Sequence, residues 1–313
     1  MREFELIEWI RARSGFDPSA VPIGPGDDMA VVAWREHRLL LATDQVLDGV
    51  HFSLARCGSR AAGRYAMVRN LSDVAAMAAV PACAVASVAL PRGTDRSSAE
   101  QIYSGLRELG DRFDCPIVGG DVAVWDGALA ISVTVTARTD GIAPVLRSGA
   151  TAGDAICVTG SLGGAWQSGR CLDFVPRIRE ARQLAGRYRP HAMIDISDGL
   201  AGDLGHICRA SAVAAEIQTA SVPIHPDVFA HLKLDGADPA SREKAIRSAL
   251  TDGEDYELLF TLPSRQAEAL LKAQPLGVPV TRIGTVAAGS GMTLIDESGR
   301  RTALAGGWEH STG

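Results

Sequence analysis

The sequence predicts a two-domain protein of mixed α+β and α/β character, and three observations carry that reading. The chain has 313 residues, about twice the length of a typical domain. Strand-like and helix-like patterns alternate in both halves. A polar, glycine-rich, non-periodic stretch from Thr139 to Gly153 separates them, as an interdomain connection does. The boundary is placed at residue 142, giving domains 1–142 and 143–313.

Each element follows from its local pattern. Glu3 to Arg13 carries Phe4, Leu6, Ile7 and Ile10 at helical spacing. After Gly24-Pro25-Gly26-Asp27-Asp28, Met29 to Ala33 and Arg38 to Ala42 read as strands around a polar turn, with Thr43-Asp44 where the second one ends. Ser59 to Val80 is a long alanine-rich helix closed by Pro81, and Ala84 to Leu90 an apolar strand ended by Pro91. Ser97 to Phe113 is another helix; Pro116 to Val118 runs into Gly119-Gly120-Asp121, and Leu129 to Ala137 is a β-branched strand. The second half restarts with a strand from Ala155 to Thr159, then Gly160-Ser161-Leu162-Gly163-Gly164 opens a helical pattern reaching about Tyr188. Met193-Ile194 leads into Asp195-Ile196-Ser197-Asp198-Gly199 and a helix from Leu200 to Ala210. Further segments reach Gly253-Glu254-Asp255-Tyr256-Glu257 before an apolar run.

Composition narrows the chemistry. With 46% hydrophobic and 22% charged residues and a net charge of −6, the chain reads as globular, without the basic stripe that a nucleic-acid or anionic-membrane partner requires. Lysine occurs only at Lys233, Lys244 and Lys272, never in a glycine-rich loop, so neither a P-loop nor a protein-kinase strand lysine is present. The six cysteines form no C-x-x-C pair and read as free buried thiols. Met1 to Glu5 starts no signal peptide, and no run of about 18 apolar residues follows. A cytoplasmic location is expected.

Carboxylates recur in glycine-rich or apolar settings, where they are costly. Two of them about 4 Å apart repel by about 4 kcal/mol at an effective dielectric near 20, so a site gathering several needs cations. Asp27-Asp28 reads as a paired Mg²⁺ ligand or as a plain Asx-turn. Thr43-Asp44 offers a hydroxyl and a carboxylate on a strand, or a surface loop; Asp48 and His51 follow closely. Asp73 stands out because Met67, Val68, Leu71, Val74 and Met77 surround it in a helix apolar around much of its circumference; an isolated buried aspartate there calls for an arginine or a metal. Gly119-Gly120-Asp121 frees backbone amides for phosphate oxygens. Gly160 to Gly164 fits no phosphate-loop spacing and reads as structural. Asp198 could cap the helix that follows, whereas Asp195 lies too far upstream to cap it. The pair points to ligation at a helix N-terminus, where phosphate is also favoured.

Gly-Pro-Gly-Asp-Asp, Thr-Asp with Gly-Val-His-Phe downstream, Asn-Leu-Ser-Asp-Val-Ala-Ala-Met, Gly-Gly-Asp, Asp-Ile-Ser-Asp-Gly-Leu and Gly-Glu-Asp-Tyr-Glu-Leu occur in this order, with a closing Gly306-Gly307-Trp308. Together they resemble the thiamine-monophosphate kinase family of the aminoimidazole-ribonucleotide synthetase superfamily. The resemblance implies ATP- and Mg²⁺-dependent phosphorylation of thiamine monophosphate to thiamine diphosphate. It also implies a two-domain aminoimidazole-ribonucleotide synthetase-like fold, with the N-terminal sheets of two subunits forming a barrel across a homodimer. Carried over by motif, Asp28, Thr43, Asp44, Asp73, Asp121, Asp195 and Asp198 would hold several Mg²⁺ ions, and Asp44, Asp121 and Asp198 would carry catalysis. Tyr103, Gly120, Asp121, Arg147 and Ser197 would contact ATP; His51, Glu254 and Trp308 would meet thiamine monophosphate, the tryptophan by stacking.

Two positions depart from the family pattern: Pro25 between the two glycines, and Ala42 where a Ser or Thr is frequent, so that one metal contact is missing. The reaction expected from the resemblance is in-line transfer to a phosphate oxygen that is already ionised at neutral pH, since its second pKa is near 6. The rivals are a sister ATP-using enzyme and a non-catalytic nucleotide-binding protein. A selenophosphate synthetase would carry a reactive Cys with a Lys near the N-terminus, and the first 50 residues contain neither.

Overall fold

The structure is a computed structural model and describes residues 3–13, 15, 17–35, 37–236, 238–304 and 306. The first half contains α1 (Glu3–Arg11), β1 (Ala30–Trp34), β2 (His37–Leu47), α2 (Leu54–Ala76), β3 (Val80–Pro91), α3 (Arg96–Arg112), β4 (Ile117–Trp125) and β5 (Ala130–Arg138). The second contains β6 (Ala155–Thr159), α4 (Ala165–Ser168), α5 (Ile178–Arg187), β7 (Ala192–Asp195), α6 (Leu200–Ser211), β8 (Ala214–Gln218) and α7 (Pro226–Leu232). It ends with α8 (Pro239–Thr251), β9 (Leu258–Leu262), α9 (Ser264–Ala273), β10 (Val280–Ala287), β11 (Gly291–Ile295) and β12 (Arg301–Ala303).

Five strands form the first sheet in the order β1-β2-β5-β3-β4, antiparallel except for the β3–β4 pair. Seven form the second in the order β12-β11-β8-β10-β6-β9-β7, antiparallel except for β11 with β8. One hydrophobic core joins the first sheet, α2 and α3 to one face of the second sheet through residues such as Met67, Leu71, Val133, Leu184 and Phe260. A separate core covers the other face beneath α6.

Helix α2 lies at the centre, which explains its apolar circumference: thirteen of its residues from Ala62 onward are buried. Its neighbour α3 comes backbone to backbone. A Cβ at Gly63 would lie 2.0 Å from the Ile102 carbonyl oxygen, and one at Gly105 2.0 Å from that of Arg60, so only glycine permits this approach.

The strands run further than the local pattern predicts. Thr43-Asp44 does not end β2: the strand pairs with β5 through Leu47, so side-chain alternation sends the two residues to opposite faces. Asp121 lies in the middle of β4, paired with Ser87. The helical pattern expected up to Tyr188 is interrupted, with Gly169 in a left-handed conformation after α4 and a non-helical stretch leading to α5. Among the described residues no helix is long and apolar enough to cross a membrane. The six cysteines are free thiols.

Candidate active site

Three carboxylates meet where α2, the end of β7 and the loop before β1 converge. One oxygen from each of Asp28, Asp73 and Asp195 lies within 4.8 Å of the others. Burial pushes Asp73 well above the usual carboxylate range, with Asp44, Asp195 and Asp28 adding to it. Asp195 is pushed up to about 7 by burial and by Asp28, against the opposing pull of the Ser72 hydroxyl, which donates to it at 2.5 Å. Asp203, in the first turn of α6, is raised by burial and by Asp198 and Asp195. This is a concentration of negative charge that the protein itself offsets only in part.

Arg147 supplies that part. Its Nη2 donates to Asp28 Oδ1 at 2.7 Å, and its backbone N–H reaches both oxygens of Asp27 at 3.2 Å. Asp27 also accepts the Asp28 N–H at 3.1 Å. It is thus the turn-forming member of the pair, with its carboxyl raised to about 7 by burial and by Asp28. Among the described residues Asp28 Oδ2 finds no hydrogen-bond partner, although it is buried. An orphaned carboxylate oxygen beside two further carboxylates is a set of hard oxygen donors, which fits Mg²⁺.

Asp44 reaches the same region from β2: its backbone N–H donates to Asn70 Oδ1 at 3.1 Å, and its carboxylate lies 3.4 Å from Arg69 Nε. Thr43 points to the opposite face, where its hydroxyl donates to the Val133 carbonyl at 3.2 Å and accepts from Thr134 at 3.0 Å. Ala42 packs against the core. Ser197 and Asp198 lie in the loop between β7 and α6. Gly199 occupies the N-cap position, so Asp198 is not the cap; its N–H donates to Asp203 Oδ2 at 3.1 Å.

The four residues after Gly253 divide their work. The Glu254 carboxylate accepts from the Tyr65 and Tyr256 hydroxyls and from Arg69 Nη1 at 3.3 Å, while its N–H donates to the Ser197 carbonyl at 2.8 Å. Asp255 turns inward to accept the Gly163 N–H at 2.7 Å and Arg170 Nη2 at 3.1 Å. The Gly160–Gly164 turn is therefore held internally. Glu257 takes the Thr159 hydroxyl at 2.6 Å and the Arg177 guanidinium. Glu254 and Tyr256 both have positive φ, 70° and 51°, a conformation that costs about 1–3 kcal/mol per residue and concentrates at functional sites.

Tyr103, Gly120 and Asp121 gather elsewhere, lining a 560 Å³ cavity between α3, β3 and β4. Asp121 follows the register Asp121, Ser87, Ser132, Gln45 across the sheet. It is therefore about 14 Å from β2 at the usual strand spacing, and on the face opposite Asp44. A single chain does not bring Asp121 to the acid cluster. His51 sits in the turn after β2, accepting the Leu47 N–H at 3.1 Å on Nδ1, about 10 Å along the strand from Asp44. Trp308 lies outside the described residues.

Sequence reasoning passed over Tyr65, Arg69, Asn70 and Ser72. The signal was present: Tyr65, Arg69 and Asp73 are spaced i, i+4, i+8, one face of α2.

The raised carboxyls make stability depend on pH. Asp195 has a folded pKa of about 7 against 3.8, so between these values the folded chain holds a proton that the unfolded chain has lost. Stability therefore falls as pH rises from about 4 to 7, by on the order of 4 kcal/mol for one such group, and the deficit is complete above 7. Thermal melts of chelator-treated protein should give a lower Tm at pH 8 than at pH 5, with millimolar Mg²⁺ restoring it. An equal or higher Tm at pH 8 would contradict this electrostatic picture.

A two-domain fold with carboxylates converging between its halves defines an AIR synthase related protein. The family model of the N-terminal domain matches residues 26–139 and that of the C-terminal domain residues 151–297. Within that class the chain belongs to the thiamine-monophosphate kinase family. It is 37% identical over 298 residues to the Rhodopirellula baltica thiamine-monophosphate kinase, covering 93% of this chain and 91% of the relative. A solved structure described as AaThiL complexed with AMPPCP and TMP superposes with a TM-score of 0.78 at 29% identity, covering 99% of this chain and 97% of that one. The Stenotrophomonas maltophilia enzyme gives 0.73 at 34% identity, covering 94% and 97%.

Proposed function

We propose that this chain transfers the γ-phosphoryl group of ATP to thiamine monophosphate, forming thiamine diphosphate and ADP. The observation that carries the reading is the Asp28–Asp73–Asp195 convergence with its orphaned, buried Asp28 oxygen, in a chain of this family.

Asp28, Asp44, Asp73, Asp195 and Asp198 would hold Mg²⁺ ions, which neutralise the crowded phosphate oxygens when bound. Asp27 fixes the loop that carries Asp28, Ser72 orients Asp195, and Asp203 positions Asp198. Arg147 balances charge at the cluster edge and would contact ATP. Glu254 presents a carboxylate to the cationic thiazolium ring, and its hydrogen bonds from Tyr65 and Tyr256 fix its direction. His51 and Trp308 complete the substrate side. The acceptor oxygen of a phosphate monoester is largely ionised at neutral pH, so no side chain has to remove a proton from it.

The site is completed by a second copy. Among the described residues strand β4 has no strand beside it beyond β3, and its Val118, Val122, Val124 and Trp125 are exposed; such an edge is normally covered. Pairing two first sheets into a barrel covers it and brings Tyr103, Gly120 and Asp121 of one subunit toward the acid cluster of the other, with Thr43 lining the shared face. The nucleotide then spans both subunits. The N-terminal domain supplies the dimer and most metal ligands, and the C-terminal domain closes the nucleotide and substrate sites. A cytoplasmic location belongs to the same reading.

Incubation with thiamine monophosphate, ATP and Mg²⁺ should yield thiamine diphosphate and ADP in equal amounts, read by chromatography. ATP binding without that product would favour a non-catalytic nucleotide-binding protein, and ATP turnover with another acceptor a sister enzyme.

A further inference from the structure

Arg69 lies between Asp44 and Glu254 and contacts both. Its Nε lies 3.4 Å from the Asp44 carboxylate, on the metal side, and its Nη1 3.3 Å from Glu254 Oε1 and 3.2 Å from the Tyr65 hydroxyl, on the substrate side. The side chain is 15% exposed. These contacts are long for a charged donor. Arg147 holds Asp28 at 2.7 Å, and Arg177 holds Glu257 at 2.8 and 2.5 Å, the ordinary range for such pairs. Arg69 is thus shared between two carboxylates and bound tightly by neither.

We propose that Arg69 binds the phosphate of thiamine monophosphate, and that it becomes free to do so when a metal ion takes over Asp44. The role rests on the function proposed above. On that function the acceptor phosphate would connect the thiazolium end of the substrate, at Glu254, to the γ-phosphorus, at the ions that Asp44 would hold. Its oxygens must therefore pass the place Arg69 occupies. A guanidinium suits that place because its planar donors match phosphate oxygens, two at a time. The described contacts fall on Nε and Nη1, which leaves Nη2 for an incoming oxygen.

The arrangement couples the two ligands in opposite directions. While Asp44 is paired with Arg69, a metal ion has to compete for it, so removal of the guanidinium should ease metal binding. The same removal takes a cation away from the substrate phosphate. A merely structural arginine would weaken both together.

Steady-state thiamine diphosphate formation by full-length wild type, Arg69→Met and Arg69→Lys tests this. Arg69→Met should raise KM for thiamine monophosphate about tenfold or more, the loss of one charged hydrogen-bonding partner, while KM for ATP changes by less than about twofold. The Mg²⁺ concentration for half-maximal rate should fall. Arg69→Lys, which keeps the charge and loses the fork, should lie between, and it carries the test if circular dichroism shows Arg69→Met unfolded. An unchanged KM for thiamine monophosphate in a folded variant would overturn the role, as would a joint rise of that KM and the Mg²⁺ requirement. A wild type that forms no thiamine diphosphate would overturn the underlying function and this role with it. Wild-type turnover with an unaffected variant would overturn the role alone.

Discussion

Asp73→Asn should abolish turnover and yet raise the melting temperature of the metal-free protein. Both effects come from the same atoms. Asp73 is the carboxylate on which Asp28, Asp44 and Asp195 all press, with Arg147 offsetting only part of that charge. With Mg²⁺ bound, that charge is what anchors the metal; losing one anionic ligand from a multi-ion phosphate site should cost about a thousandfold or more in kcat. Without Mg²⁺ the charge is a liability, and an isosteric amide removes it without leaving a cavity. Melts of chelator-treated wild type and variant at pH 8 should differ by several degrees in the variant's favour, with the difference shrinking toward pH 5, as the raised Asp73 carboxyl costs less where the unfolded chain nears its own titration range. A variant that loses both activity and metal-free stability would mean that Asp73 is a packing residue rather than a ligand.

Two inactive variants, Asp73→Asn and Asp121→Asn, should restore activity when their subunits are mixed. The register places Asp121 three strands from β2 and on the other face, so on the function proposed above it serves the acid cluster of a second copy. In a heterodimer of the two variants, one site then carries both substitutions and the other carries neither. Random reassortment makes half of the dimers heterodimers, so unfolding and refolding the mixture should recover about a quarter of wild-type activity. If Asp121 acted within its own chain, every site would keep one lesion and no activity would return.

Much of this was readable from residues alone, for identifiable reasons. The apolar surroundings of Asp73 in α2 showed in the sequence, because a helix packed on most sides keeps apolar residues around much of its circumference. Asp73 stood out against that background. The alternation of strands and helices and the structural nature of the Gly160 turn depend on local pattern, which one chain displays. What failed to show depends on pairing at long range. Nothing near Thr43-Asp44 says that β2 continues to Leu47, because the continuation is held by β5, some 90 residues on. Likewise, the separation of Asp121 from the other acids follows from the parallel docking of β4 onto β3. Arg69 was overlooked because arginine in a helix usually reads as a solvated charge; only the fold puts Asp44 and Glu254 on either side of it.

The fate of the γ-phosphoryl group tests the central claim most directly. With [γ-³²P]ATP, thiamine monophosphate and Mg²⁺, the label should appear in the terminal phosphate of thiamine diphosphate, one for each ADP formed, and Asp73→Asn should show no transfer. Label released as inorganic phosphate with the thiamine monophosphate unchanged, or ATP bound and recovered intact, would contradict it.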